Sequence, residues 1–333
     1  MAGTVIITGA NGSVAVHAVQ NLLRKAPDNT LVLTVRNTSD SNPNTKRLRE
    51  TVKKFPEAKV SIRELDLASS KAVNEFADTV AAEVVQEKLP PLIAIVCNAF
   101  HWNLIADPEL TPDGLERTIQ VNHISHSSLV LRLLGSFGPQ GGRLVFFTSD
   151  GHYPGRNSLE KYPPGIPDDL DELVRIRHET DKDKQGRGFQ NYANSKLAIV
   201  MWTYALNRRL ANEESLNKIS AVVIDPGNMA DSRALRTNTP TMLSYAQMFV
   251  LQPLRPLIRF VLPDMRKSAD AGMDVADLAL NQKYAGERGY FRLMVPGPSS
   301  TESLDEKKQE EIWTKTADWA KITEEDTALE AGL

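Results

Sequence analysis

TVIITGANGSVA, residues 4–15, joins an apolar β-branched run to a glycine-containing turn and the start of a helical pattern. The turn has two glycines, Gly9 and Gly12, while Ser13 and Ala15 stand where phosphate-binding loops often have more. A turn between a strand and a helix offers backbone N–H groups and the positive end of the helix dipole to a pyrophosphate. The stretch therefore favours a nucleotide-binding loop over the alternative, a plain turn.

The same alternation of apolar runs and helical patterns recurs along the chain and is typical of parallel βαβ units. It predicts an α/β fold, a Rossmann-type doubly wound seven-stranded parallel sheet in a single domain with a C-terminal helical tail. The predicted strands are Thr4–Thr8, Leu31–Arg36, Val60–Leu65, Leu92–Cys97, Arg143–Thr148, Ile219–Ile224 and Tyr290–Met294. The predicted helices are Val14–Lys25, Thr45–Lys54, Ser69–Gln86, Gly114–Ser136, Tyr192–Ala211 and Ser268–Asn281.

Residues 1–298 are predicted to form this domain, and two segments within it interrupt the alternation. Residues 150–190 are rich in proline, glycine and charge and predict a long loop, which is usually functional or mobile. Residues 228–266 predict a substrate lid. Its apolar part, Met242–Leu262, contains prolines and arginines that prevent one membrane-spanning helix, so peripheral membrane contact is the alternative. Residues 299–333 predict a C-terminal helical extension docked on the domain, because apolar residues there recur at helical spacing.

Composition narrows the class of protein. The 333 residues are 41% hydrophobic and 24% charged, as in ordinary globular proteins, and the net charge of −3 gives no basic field for nucleic acid. The single cysteine, Cys97, allows no internal disulfide and fits a reducing compartment. The chain enters a strand without a charged and apolar leader, so we expect no signal peptide and a cytoplasmic location. No metal site is predicted.

Arg36 follows the second predicted strand, and Asn37 comes next. An acidic residue at this edge would accept hydrogen bonds from the ribose diol of NAD, whereas a guanidinium pairs with the 2′-phosphate of NADP. The position therefore favours NADP(H), and the alternative is an ordinary surface arginine.

Tyr192 and Lys196, in NYANSKLA, place a phenol and an ammonium four residues apart. On a helix these side chains share a face. The pKa of a free tyrosine is about 10, and a nearby cation lowers it, which makes the phenol a usable acid or base near neutral pH. Taken alone, the pair is also a common surface arrangement.

The order of further motifs resembles the short-chain dehydrogenase/reductase family over about residues 4–295. These motifs are the turn at 8–15, Asp66, Asn98-Ala99, Asn122, Ser149, the Tyr192/Lys196 pair and Asp225–Gly227. QVNHISH (Gln120–His126) and NYANSKLA (Asn191–Ala198) are most similar to the branch with retinol-dehydrogenase-like and protochlorophyllide-reductase-like enzymes. The tail and the TGANGSVA turn also resemble fungal members.

The resemblance implies that Tyr192 is the general acid and that Lys196 lowers its pKa and holds the nicotinamide ribose. Ser149 would hydrogen-bond the substrate oxygen, and Asn122 would anchor a water that relays protons. Each residue alone also fits a structural role, such as a core amide for Asn122. The implied NADP(H)-binding residues are Gly9, Asn11, Gly12, Ser13, Val14, Arg36, Asn37, Asp66, Leu67, Asn98, Ala99, Phe100, Tyr192, Lys196, Pro226, Gly227 and Met229.

Two departures from the family pattern concern the substrate pocket. Phe100 replaces a family glycine, and Ser149 and Tyr192 are much further apart than usual, so loop 150–190 is expected to cover the pocket. The sequence predicts an NADPH-dependent reductase, or the reverse dehydrogenase, that acts on a small to medium apolar carbonyl or alcohol. A role in specialised metabolism is one interpretation. The alternatives are an NADP-binding regulator or scaffold without turnover and a non-redox cyclase or isomerase. A homodimer through helices 114–136 and 192–211 is also left open.

Overall fold

The computed structural model describes residues 2–176, 181–258, 264–282 and 284–330. An eight-stranded sheet lies at its centre, in the order β10-β9-β6-β5-β4-β1-β2-β3. Its strands are β1 (Thr4–Ile7), β2 (Thr30–Val35), β3 (Lys59–Glu64), β4 (Leu92–Cys97), β5 (Gly142–Phe147), β6 (Ile219–Asp225), β9 (Gly289–Arg292) and β10 (Val295–Pro296). Two short parallel strands, β7 (Asn228–Met229) and β8 (Met265–Arg266), pair separately.

The doubly wound parallel fold is confirmed, with one more strand than predicted. The seven predicted strands all form and pair in parallel. Most of their residues are buried between the helices on the two faces of the sheet, whereas β3 at one edge is only partly buried. The additional strand, β10, pairs antiparallel with β9 at the sheet edge. Two residues are too few to show a period-2 pattern, so this strand could not be predicted from the sequence.

Helices cover both faces of the sheet and divide the apolar core into two large clusters. The helices are α1 (Ser13–Lys25), α2 (Pro43–Val52), α3 (Ser70–Val85), α4 (Arg117–Ile119), α5 (Ser125–Leu133), α6 (Asp181–Asn212), α7 (Thr241–Ala246), α8 (Gln252–Ile258), α9 (Ser268–Ala279) and α10 (Glu306–Ala320). The backbones of α1 and α9 come close at Gly272, where a Cβ would lie 2.5 Å from the Cβ of His17. A larger residue there would force the two helices apart.

Two predicted helices differ from the observed ones. The span predicted as one helix, Gly114–Ser136, contains a π-helical turn at Gln120–Ile124 between α4 and α5. The helix that holds Tyr192 begins at Asp181 rather than at Tyr192. The polar, glycine-containing stretch before Tyr192 lacks an apolar face, so its helical state follows from tertiary packing rather than from a local pattern.

The predicted loop 150–190 and the predicted lid 228–266 contain more secondary structure than expected. The residues between β5 and α6 include short 3-10 turns at Asp150–His152 and Leu170–Leu173. Part of this segment, 163–167, lines a cavity of about 300 Å³ together with residues of α6, and no predicted catalytic residue lines it. The lid segment contains α7, a π-helical turn at Gln247–Leu251 and α8. Residues 259–262 of the predicted apolar lid lie outside the described residues.

Helix α10 packs on α6 and α5. Asp305 caps its N-terminus by accepting from the Lys308 N–H, and its apolar stripe is buried: Ile312, Trp313, Thr316 and Trp319. The Trp313 ring stacks on Trp202 of α6, with centroids 5.3 Å apart. No helix among the described residues is both long and apolar enough to cross a membrane.

Candidate active site

The turn after β1 is held against the end of β4. Asn98 donates from its side-chain amide to the carbonyls of Thr8 and Gly9, both at 3.0 Å, and Thr8 Oγ1 accepts from the Ala99 N–H. Gly9 has a φ of +58°, and a Cβ on it would lie 2.9 Å from the Cα of Ala99. Gly9 is therefore required by both conformation and space, and Asn98 and Ala99 shape the loop from beside it.

The N-terminus of α1 suits an anion. Its N-cap is Gly12, which supplies no side-chain cap, and its first turn holds no acidic residue. The first N–H groups of a helix lack partners within the helix, and their partial positive charge favours a phosphate. Ser13 and Val14 open this turn, so these predicted residues fit a pyrophosphate. The side chain of Ser13 is already engaged: its Oγ accepts from the backbone N–H and from Nε of Arg233, each at 3.2 Å.

The end of β2 lies next to the same loop. Thr45 of α2 connects the two, because it accepts from the Asn11 side-chain amide at 2.9 Å and donates to the Asn37 carbonyl at 2.8 Å. Arg36 is exposed just after β2. An exposed guanidinium at this position is able to pair with a phosphate group.

Asp66 and Leu67 follow β3 at the carboxyl edge of the sheet. Asp66 accepts from the Ala68 N–H at 3.0 Å, whereas the N-cap of α3 is Ser69. Leu67 is buried, and its carbonyl accepts from the Ser125 hydroxyl at 2.6 Å.

Tyr192 and Lys196 occupy one face of α6, as their spacing predicts. The Lys196 Nζ donates to the Phe147 carbonyl at 3.1 Å and lies 5.6 Å from the centroid of the Tyr192 ring. Burial raises the pKa of Tyr192, Asp150 and Asp225 add to this, and a hydrogen bond with Ser149 opposes it. Burial also lowers the pKa of Lys196 to about 7.

The pKa of Tyr192 shifts in the direction opposite to the expected one. Lys196 is expected to lower it, and burial of the phenol raises it instead. Lys196 is itself buried, and with a pKa of about 7 its ammonium is close to losing its proton at neutral pH. The consequence is a phenol that keeps its proton at neutral pH and is available as an acid.

Ser149 follows β5 and faces Tyr192. Its Oγ donates to Asp150 Oδ1 at 2.9 Å and accepts from the Gly151 N–H at 3.1 Å. Asp150 Oδ1 also accepts from the side chain of Asn157 at 2.8 Å. The serine hydroxyl is therefore held in a fixed direction beside the tyrosine.

Asn122 lies in the π-helical turn, a feature that frequently marks functional positions in helices. Its amide donates to the His101 carbonyl at 3.1 Å and to the Ser195 hydroxyl at 3.0 Å, and its Oδ1 accepts from the His101 N–H at 2.6 Å. The side chain thus joins the segment after β4 to α6. The water relay implied for Asn122 remains a prediction.

Pro226, Gly227 and Met229 follow β6 at the same edge of the sheet. Gly227 has a φ of +80°, and its N–H donates to Asp225 Oδ1 at 2.9 Å. Met229 lies in β7, which pairs with β8. The structure therefore brings all the predicted site residues to the carboxyl edge of the central sheet.

Comparison with known proteins finds dehydrogenases among the similar chains. The KR domain model matches residues 3–122, and the AcuH dehydrogenase domain model matches residues 233–329. The dehydrogenase acuH of Aspergillus aculeatus is 47% identical over 92 residues, 28% of this chain and 94% of that protein. The short-chain dehydrogenase iccH of Talaromyces variabilis is 26% identical over 363 residues, 99% of this chain and 98% of that protein.

The chain belongs to the short-chain dehydrogenase/reductase family. A solved structure shares its fold: the NADPH-bound carbonyl reductase from chicken fatty liver, with a TM-score of 0.55 and 16% identity, covering 90% of this chain and 99% of that one.

Aromatic side chains lie around Tyr192 and Lys196 in this short-chain dehydrogenase/reductase site. Trp102 lies edge-on to Tyr192, with centroids 4.7 Å apart, and packs against Phe189. Its indole N–H donates to Thr239 Oγ1 at 2.8 Å, so Trp102 connects the predicted lid segment with the helix that holds Tyr192. Phe100, where the family has glycine, is 46% exposed, and its ring centroid lies 5.9 Å from the Lys196 Nζ.

Sequence reasoning missed several residues of this family site. Arg233 lay within the predicted lid, and nothing local indicates that it reaches the turn after β1. Trp102 is not among the predicted site residues, and its packing on Tyr192 depends on tertiary structure. Asp150 is not among them either, although its hydrogen bond to Ser149 could have been suspected from their adjacency in sequence.

Proposed function

We propose that the protein is an NADPH-dependent carbonyl reductase, or the reverse alcohol dehydrogenase. The observation behind the proposal is that Tyr192, Lys196 and Ser149 are grouped at one edge of the sheet. The same edge holds the turn before α1, which can bind an anion, and the exposed Arg36. NADPH, when bound, supplies the hydride. The dehydrogenase names of the fungal relatives and the NADPH bound to the chicken carbonyl reductase support the assignment.

The protein's own residues supply the proton and the orientation. Tyr192 donates its phenolic proton to the carbonyl oxygen as that oxygen gains negative charge, and its raised pKa keeps the proton in place beforehand. Lys196, when charged, stabilises the phenolate that results and faces the position of the nicotinamide ribose. Ser149 holds the tyrosine hydroxyl and the substrate oxygen in line. Orientation of this kind lowers the barrier because the reacting atoms start near their reactive geometry.

The substrate we propose is a small to medium apolar ketone, aldehyde or alcohol, because Phe100 and Trp102 line the approach to Tyr192. The alternatives remain a cofactor-binding regulator and a cyclase or isomerase. A protein that only binds the cofactor has no need of a partly buried tyrosine and serine beside a buried lysine, so we favour the enzyme. A cytoplasmic location and peripheral membrane contact of the lid stay predictions.

Pairing of two copies through helices 114–136 and 192–211 also stays a prediction. In this chain α10 packs on both α5 and α6. Two copies that used the same faces would therefore have to displace α10 or pair beside it.

NADPH oxidation with a panel of apolar aldehydes and ketones, followed by absorbance, tests the proposed function. We expect turnover of at least one compound, and the alcohol product should reduce NADP⁺ in the reverse direction. Tight NADPH binding with no turnover on any panel member, in either direction, would favour the regulator or cyclase alternatives.

Cofactor choice gives a second prediction. Replacing Arg36 with aspartate should weaken NADPH binding roughly tenfold or more, because the variant loses a charge-assisted contact to the 2′-phosphate and repels it. NADH binding should be unchanged or stronger, since a carboxylate can accept from the ribose diol. Calorimetry with both nucleotides measures this. Arg24→Asp, an equal charge change at an exposed position at the far end of α1, is the control. Equal losses in the two variants would mean that only general electrostatics is involved.

A further inference from the structure

Arg233 reaches from the lid segment to the turn after β1. Its Nη2 donates to the Asn11 carbonyl at 2.6 Å, and its Nε and backbone N–H both donate to Ser13 Oγ at 3.2 Å. The residue follows β7 and precedes α7, so it belongs to the segment predicted to close over the ligand. Two hydrogen bonds from the guanidinium and one from the backbone N–H hold Arg233 at the start of α1.

The charge of Arg233 is not balanced by a carboxylate. Within the described ranges 2–176, 181–258, 264–282 and 284–330, Arg233 forms no ion pair. Partial burial and the positive charges of Arg47 and Arg236 lower the pKa of Arg233 below its usual value. The nearby Asp231 instead accepts from the backbone N–H and hydroxyl of Ser268 at the start of α9. A guanidinium beside an uncapped helix N-terminus is stabilised by an anionic ligand that lies between the two.

We propose that Arg233 binds the pyrophosphate of the dinucleotide and that Ser13 positions it for this contact. The inference rests on the proposed NADP(H) binding and deepens it. Ser13 Oγ uses its acceptor capacity on Arg233, which leaves its one proton to donate to a phosphate oxygen. The serine that replaces a family glycine thus gains a role that a glycine lacks: it connects the lid to the phosphate turn.

The position of Arg233 favours the pyrophosphate over the 2′-phosphate. Its partners, Asn11 and Ser13, lie in the turn and the first residue of α1, where the backbone N–H groups point to a pyrophosphate. The 2′-phosphate is expected at the end of β2, beside Arg36. NADH retains the pyrophosphate and lacks the 2′-phosphate, so comparing the two nucleotides separates the two assignments.

The test measures the Kd of NADPH and of NADH by calorimetry for the wild type, Arg233→Gln and Arg236→Gln. Arg236→Gln is a matched control, because Arg236 is exposed and lies three residues further along, and its replacement removes the same charge. We expect Arg233→Gln to weaken both nucleotides by a similar factor, roughly 10- to 100-fold, since a hydrogen bond to a charged group contributes about 1.5–3 kcal/mol. Arg236→Gln should change either Kd by less than about threefold. Thermal unfolding of each variant without nucleotide checks that the fold is intact.

A double-mutant cycle tests the role of Ser13. If Ser13 acts mainly by holding Arg233, Ser13→Ala weakens binding in the wild type and adds little in Arg233→Gln, so the two effects are not additive. Unchanged Kd values for Arg233→Gln would overturn the proposal, and so would a loss confined to NADPH, which would assign Arg233 to the 2′-phosphate. Additive losses would overturn the part given to Ser13. If the wild type itself binds neither nucleotide, the proposed function fails instead.

Discussion

Tyr192→Phe is expected to lower kcat for carbonyl reduction by roughly 10²–10⁴-fold while leaving the Kd of NADPH nearly unchanged. Phenylalanine keeps the ring, so its packing against Trp102 and Phe189 is retained. What is lost is the proton donor and the hydrogen bond with Ser149. The lost interaction acts as charge develops on the substrate oxygen, so the effect appears in kcat rather than in cofactor binding.

The matched control for this experiment is Tyr204→Phe. Tyr204 lies on the same helix and is also partly buried, and its hydroxyl bonds to Ser299 Oγ at 2.9 Å, away from the catalytic group. Loss of that hydroxyl should leave kcat nearly unchanged. Steady-state rates with NADPH and the best substrate of the carbonyl panel, together with nucleotide titration, provide the comparison. A Tyr192→Phe enzyme with wild-type kcat would remove Tyr192 from the mechanism.

The sequence predicts well those parts of the fold whose signal is local. Most of the parallel strands are apolar runs with β-branched residues, because they are buried on both faces, and such runs are visible without a structure. The edge strand β3 is an exception, since it is only partly buried. The pairing of Tyr192 with Lys196 follows from the helical period alone. The turn at Gly9 is also predictable, since its position after a strand and before a helix fixes both its conformation and its access to a phosphate.

The features that the sequence did not reveal depend on contacts between distant segments. Arg233 is 220 residues from Ser13, and no local pattern relates them. The raised pKa of Tyr192 results from burial, which depends on how the segment around Trp102 folds over α6. The early start of α6 at Asp181 likewise depends on packing that its polar sequence does not show.

Trp313→Ala is expected to lower the free energy of unfolding by about 3–5 kcal/mol. Trp313 is 1% exposed, stacks on Trp202 and lies 4.1 Å from the Arg209 guanidinium. The substitution removes an entire indole from between α10 and α6 and leaves a cavity that these helices cannot fill. Urea or guanidinium unfolding measures the change, and Thr314→Ala, the next residue and an exposed one, should alter stability by no more than about 0.5 kcal/mol.

The same variant shows whether α10 orders the active site or only covers the domain. Trp202 and Tyr192 belong to one continuous helix, α6, so weaker packing of α10 makes the helix that holds Tyr192 more mobile. If α10 orders the site, Trp313→Ala lowers kcat even at temperatures where the variant is folded. If it only covers α6, kcat is retained and the loss is confined to stability. Sedimentation of the variant measures its oligomeric state. If two copies of the variant pair through the newly exposed face of Trp202, α10 occupies a dimer interface in the wild type.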